Sequence, residues 1–254
     1  MLARLPYFAA LFLAAAIASG NVLGQARSDA AREKRWADQF LASLVVGDAV
    51  RLKTGDGIEF LALYTQPERA RVAVLLAHGP GLHPDHGVTG ELRIRLADRG
   101  YATLSLQMPV LPAEIDSGEA YQALFPEATR RIAAGLGFLQ GKNFTRIALV
   151  SHAMGSGMTY EYLKRNPDAP VAAWVALSFY GVFKEVARRP FPVFDLYGQD
   201  DYRGIRGPAA ERKTVLDTIP GSKQFAAPGA GRFLAGGEKT ILQEVPAFLD
   251  TVFR

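Results

Sequence analysis

The feature that most constrains the fold of this chain is a succession of short apolar runs. Each ends in a small-residue turn and is followed by a stretch with helical spacing. "RVAVLLAHG" (71–79), "YATLSLQM" (101–108), "RIALV" (146–150), "VAAWVALS" (171–178) and "FPVFDLYG" (191–198) read as strands buried on both faces. Between them, "TGELRIRLADRG" (89–100) puts Leu92 and Leu96 on one helical face, with Gly100 as a stop. "EAYQALFPEATRRIAAGLGFLQGK" (119–142) is a longer helix in which Pro126 marks a kink or a new start. "MTYEYLKRN" (158–166), "PAAERKTVLDTI" (208–219) and "GEKTILQEVPAFLDTVF" (237–253) supply the remaining helices. Ahead of this series, Trp36, Phe40, Leu41 and Leu44 mark a helix. "AVRLKTGDGIEFLALYTQP" (49–67) follows as two strands around the turn Thr54–Gly57, and "KQFAA" (223–227) is a last short strand. Strands alternating with helices predict an α/β fold, a mostly parallel sheet with helices on both faces.

Composition narrows the class. The 254 residues, 49% hydrophobic and 21% charged, suffice for one substantial core. The net charge of +4 is dispersed without a long Lys/Arg block, which argues against a nucleic-acid partner. The N-terminus has Arg4, an apolar stretch over 7–17 and then small residues, with Gly24 and Ala26 fitting a cleavage site. This is the pattern of a secretory signal peptide over 1–26, leaving 27–254 as one domain. Export to the periplasm or beyond is therefore expected, with no stable membrane span after cleavage. The absence of cysteine excludes a disulfide scaffold and a cysteine-linked lipid anchor.

In open α/β sheets ligands bind beyond the C-terminal strand ends. Those ends carry "AHGPG" (77–81), "SHAMG" (151–155) and "YGQDD" (197–201), and "PGAGRF" (228–233) follows the last strand. This order resembles the α/β-hydrolase superfamily, in which a serine elbow, an acid and a histidine succeed one another. The resemblance covers about residues 50–253 and implies that fold. The stretch "LLAHGPGLHPDHGVTGELRIRLADRGYATLSLQMPVLP" is further similar to a domain-of-unknown-function group of exported α/β-hydrolase-like proteins of Gram-negative bacteria. That group implies export and names no substrate.

Carried onto this sequence, the motif places Ala153 at the nucleophile position and Arg232 at the histidine position; of the triad it retains Asp201. A methyl group cannot attack a carbonyl, and a guanidinium remains protonated at physiological pH and cannot serve as base. Asp201 is free to pair with Arg232 or to act in a turn. Met154 offers one oxyanion donor. The other would come from the residue after His78-Gly79, but that residue is Pro80, which has no N–H, leaving the Gly79 and Gly81 amides as the alternative donors. Ser151, His152 and Ser156 flank the apex in packing positions.

His83, Asp85 and His86 lie on the loop expected to overhang the crevice. They are candidate ligands for a metal only with an outside carboxylate such as Asp116 or Asp201, and a turn is the simpler reading. No cofactor is expected. Crevice candidates are His78, Gly79, Pro80, His83, His86, His152 and Met154. Three readings stand: a non-catalytic hydrolase fold binding a small molecule or an envelope protein; a hydrolase with a displaced or metal-assisted mechanism on the 83–86 loop; and a structural or interaction protein of the cell envelope. For the third, "YGVFKEVARRPFPVF" (180–194) is a candidate aromatic patch or lid, with an ordinary strand connection as the alternative.

Overall fold

The computed structural model describes residues 26–115 and 117–253. The expected signal peptide, apart from Ala26, and Asp116 lie outside the described residues. Eight strands form one sheet in the order β1-β2-β4-β3-β5-β6-β7-β8. β1 (Asp48–Lys53), β2 (Glu59–Thr65) and β4 (Ala102–Leu106) pair antiparallel in sequence. β3 (Ala73–Ala77), β5 (Ile147–His152), β6 (Ala173–Leu177), β7 (Val193–Gly198) and β8 (Lys223–Ala227) continue from β4 in parallel.

The continuous apolar strands are explained by helices on both sides. Alternate side chains of a strand face opposite ways, so a strand covered on both faces has no polar side. On β3, Ala73, Leu75 and Ala77 enter one core together with Ile132 and Leu136 of α3 (Phe125–Gly141) and Met158 and Leu163 of α4 (Met154–Arg165). Val74 and Leu76 point to the other side, among Leu92 and Leu96 of α2 (Gly87–Asp98) and Ile241, Val245 and Leu249 of α7 (Glu238–Phe253). The register Leu75↔Leu104 and Leu75↔Leu149 keeps these layers aligned across β4, β3 and β5. α5 (Arg203–Arg206) and α6 (Ala209–Leu216) cover the β7 and β8 end. α6 is tied to β7 by the fully buried Arg212–Asp195 pair, 2.7 Å.

Pro126 is a new start and not a kink: a 3₁₀ turn over Ala120–Leu124 ends and α3 begins, with the proline in its first turn, where its missing N–H costs nothing. α1 (Ala30–Phe40) seals β2 through Ala37 and Phe40 against Leu61 and Leu63. Of the 180–194 segment, residues 180–192 are an irregular connection from β6, and Val193 and Phe194 begin β7. The connection's Phe183, Val186 and Phe191 are buried, Phe183 edge-on to Trp174 at 5.4 Å, so these side chains form no exposed apolar patch.

Candidate functional site: the crevice above the elbow

β5 ends in a turn whose apex is Ala153, with φ 50° and ψ −112°, and α4 begins at the next residue. L-residues rarely adopt this conformation, which costs on the order of 1–3 kcal/mol and points the apex side chain out of the strand–helix path. Gly155 permits the turn: a Cβ there would lie 2.5 Å from the carbonyl oxygens of both Ala77 and His78. Ser151 and Ser156 are spent on packing. Ser151 Oγ accepts the Trp174 indole N–H at 2.8 Å, and Ser156 Oγ donates to the Ser151 carbonyl at 2.8 Å. Neither hydroxyl is directed at a base.

Asp201 follows β7 and is buried. One carboxylate oxygen accepts the Ser178 hydroxyl at 2.7 Å; the other accepts the Tyr202 and Phe233 amides at 2.9 and 3.0 Å. Of the two roles open to it, pairing with Arg232 and bonding within the turn, Asp201 takes the second through Tyr202 and adds a knot joining the ends of β6 and β7 to the loop after β8. Ser178 holds φ 48° to reach it, and Phe233 holds φ 54°. Sequence reasoning missed Ser178, because nothing local marks a serine whose partner is distant in the chain.

Arg232 makes no ion pair among the described residues. Its exposed guanidinium lies 4.9 Å from the Phe233 ring centre and 5.9 Å from that of Tyr202. It helps line an open cavity of about 510 Å³ with Pro80, Glu119, Met154, Tyr121, Tyr180 and Tyr202. The Tyr180 hydroxyl donates to Met154 Sδ at 2.9 Å, and burial raises its pKa to about 12, so it remains a neutral phenol. Met154 opens α4, where an N–H has no intrahelical acceptor; Pro80 brings no N–H to face it. Tyr121 and Tyr202 were not singled out from sequence, and Tyr180 only within the 180–194 stretch. Tyrosines in loops and short helices carry no signal of a shared wall.

The histidines lie elsewhere. His78 is buried beneath the loop; Nδ1 donates to the Gly79 carbonyl at 2.8 Å and Nε2 accepts the Met108 amide at 2.9 Å. Burial lowers its pKa to about 3, so it is a neutral brace for the turn before Pro80. His152 Nε2 donates to the Phe233 carbonyl at 3.0 Å, and its buried ring, whose pKa is lowered by desolvation, packs against Gly79. His83 and His86 do not line the cavity. His83 stacks on Phe40 of α1 at 4.6 Å and 7°, and His86 meets it edge-on at 5.2 Å. Asp85 is held by Arg93, with Nε 2.7 Å from its carboxylate. Among the described residues no group of three His, Asp or Glu side chains could hold a metal ion. The three loop residues thus join an aromatic stack and an ion pair, not a common coordination centre.

No family model matches the chain, and no curated protein matches it. Solved structures do. It is similar to the dienelactone hydrolase of Anabaena variabilis (16% identity, TM-score 0.66, covering 82% of this chain and 98% of that one). A putative α/β-hydrolase of unknown function from Agrobacterium tumefaciens is also similar (18%, TM-score 0.64, 80% and 95%). So is an esterase of Pyrococcus furiosus (14%, TM-score 0.61, 83% and 98%). The chain has the α/β-hydrolase fold. At these identities the likeness reaches the fold alone.

Proposed function

We propose that the protein is an exported, non-catalytic α/β-hydrolase-fold protein whose crevice binds a small anionic molecule. The observation that carries this reading is Ala153 at the strained apex together with an Arg232 that makes no ion pair among the described residues and lines the cavity beside it. A methyl group supplies neither nucleophile nor proton, and Arg232 cannot accept one. Two aromatic faces and a fork of N–H donors suit a planar carboxylate, held by paired charge-assisted hydrogen bonds. Export rests on the pattern of residues 1–26. The displaced mechanism loses support because His83 stacks on Phe40 of α1 and His86 on His83, and neither lines the cavity. The envelope-interaction reading loses it because Phe183, Phe191 and Phe194 of the 180–194 stretch are buried.

Calorimetric titration with benzoate tests the binding. The wild type is expected to bind, and Arg232→Gln to weaken binding by about tenfold or more, the loss of one charge-assisted contact. Equal affinity in the two proteins, or no binding by the wild type, contradicts the assignment of the crevice to an anion.

A further inference from the structure

The opposite end of the sheet carries a second concentration of charge. Arg69 and Arg71 precede β3, Arg99 closes α2 just before β4, and Arg146 precedes β5. Because β4, β3 and β5 are neighbours running in parallel, their N-terminal ends bring these four arginines to one place. They line a depression of about 330 Å³ with Tyr101, Asp250 and Phe253. It lies at the far end of the strands from the elbow and shares no residue with the crevice.

Part of this charge is structural. Arg99 pairs with Asp250, which also accepts the Tyr101 hydroxyl at 2.8 Å, and Arg146 donates to the Phe253 carbonyl at 2.7 Å. These contacts hold the last turn of α7. Arg69 and Arg71 do not share in them: both are exposed and form neither an ion pair nor a side-chain hydrogen bond among the described residues. Among the described residues that line it, four guanidinium groups stand beside one carboxylate. The excess positive charge favours an anion of more than one charge. Guanidinium forks match the oxygens of a phosphate.

We propose that this depression is a binding site for a phosphate monoester, with Arg69 and Arg71 as its free forks and Arg99 and Arg146 fixing its floor. The same chemistry occurs on a soluble phosphorylated molecule and on a lipid headgroup, and the test separates them. Glycerol 3-phosphate is titrated into the purified protein, and sedimentation is measured with phosphatidylcholine vesicles with and without phosphatidic acid. Each is repeated with Arg69→Gln/Arg71→Gln and with Arg35→Gln/Lys53→Gln, which removes equal charge from exposed positions elsewhere. Affinity for glycerol 3-phosphate that falls about tenfold or more in the first variant and holds in the second supports the site with a soluble ligand. The same pattern with phosphatidic acid vesicles alone supports a membrane headgroup. No binding to either probe, or an equal loss in both variants, overturns the proposal.

Discussion

Asp201 occupies the acid position that the fold's resemblance implies, yet its contacts are those of a structural knot. It accepts one hydroxyl and two amide hydrogens from three separate segments, and all three donors come from the protein itself. Removing a buried acceptor strands its donors, and each stranded group costs about 1–3 kcal/mol. Asp201→Ala should therefore destabilise the fold by about 3 kcal/mol or more in urea unfolding, through the Ser178 hydroxyl and the Phe233 amide. Ser178→Ala, which removes one of the three donors and leaves the acid satisfied, should cost about 1 kcal/mol. A carboxylate kept to orient a base would show the reverse, a small effect on stability from either change. Ala153 belongs to the same picture. The strained backbone of the elbow is held by Gly155 and by the Ala153 amide bonding to the Leu177 carbonyl at 2.8 Å, so it survives without a reactive side chain.

At the scale of elements, α1 packs on the loop after β3 and on the buried charges beside it. Its Phe40 stacks on His83, its Arg32 caps the Leu111 carbonyl at 2.6 Å, and its Glu33 reaches the buried Arg131 at 2.9 Å beside Glu127. Arg131 is thus shared by two carboxylates, and its loss would leave both buried without a counter-charge. His83 makes the docking sensitive to acid. Burial, then the neighbouring His86, lowers its folded pKa to about 4, against about 6.5 for an unperturbed imidazole. The unfolded chain therefore binds more protons between these values. This contribution to stability is whole above pH about 6.5 and is lost as pH falls towards 4. The urea midpoint should drop between pH 7 and 4.5, and His83→Phe, which keeps a ring against Phe40, should flatten that drop. Parallel pH profiles for the two proteins would contradict the role given to His83.

Over the whole molecule, what was legible in the sequence was what local periodicity encodes. The two-sided burial of β3 and β5 is written in their unbroken apolar runs, and the elbow in "SHAMG". What was not legible depends on register and topology. The Ser178–Asp201 bond spans 23 positions, and the arginines at 69, 71, 99 and 146 meet only because β4, β3 and β5 are neighbours. At 83–86 the turn was legible in Pro84-Asp85, but its partners were not: Phe40 of α1 stacks on His83, and Arg93 holds Asp85.

The central claim is that this hydrolase-shaped crevice binds without turning over. The most direct measurement is hydrolysis of short-chain p-nitrophenyl esters by the purified wild type, beside an Ala153→Ser/Arg232→His variant and a matched inert protein. A hydrolase stripped of its triad can still accelerate hydrolysis by roughly a thousandfold over water through binding and oxyanion contacts, so the inert protein sets the baseline. The account predicts a wild type indistinguishable from that baseline, with any gain confined to the variant. Wild-type turnover above the baseline that disappears when Arg232 or Met154 is replaced would contradict it.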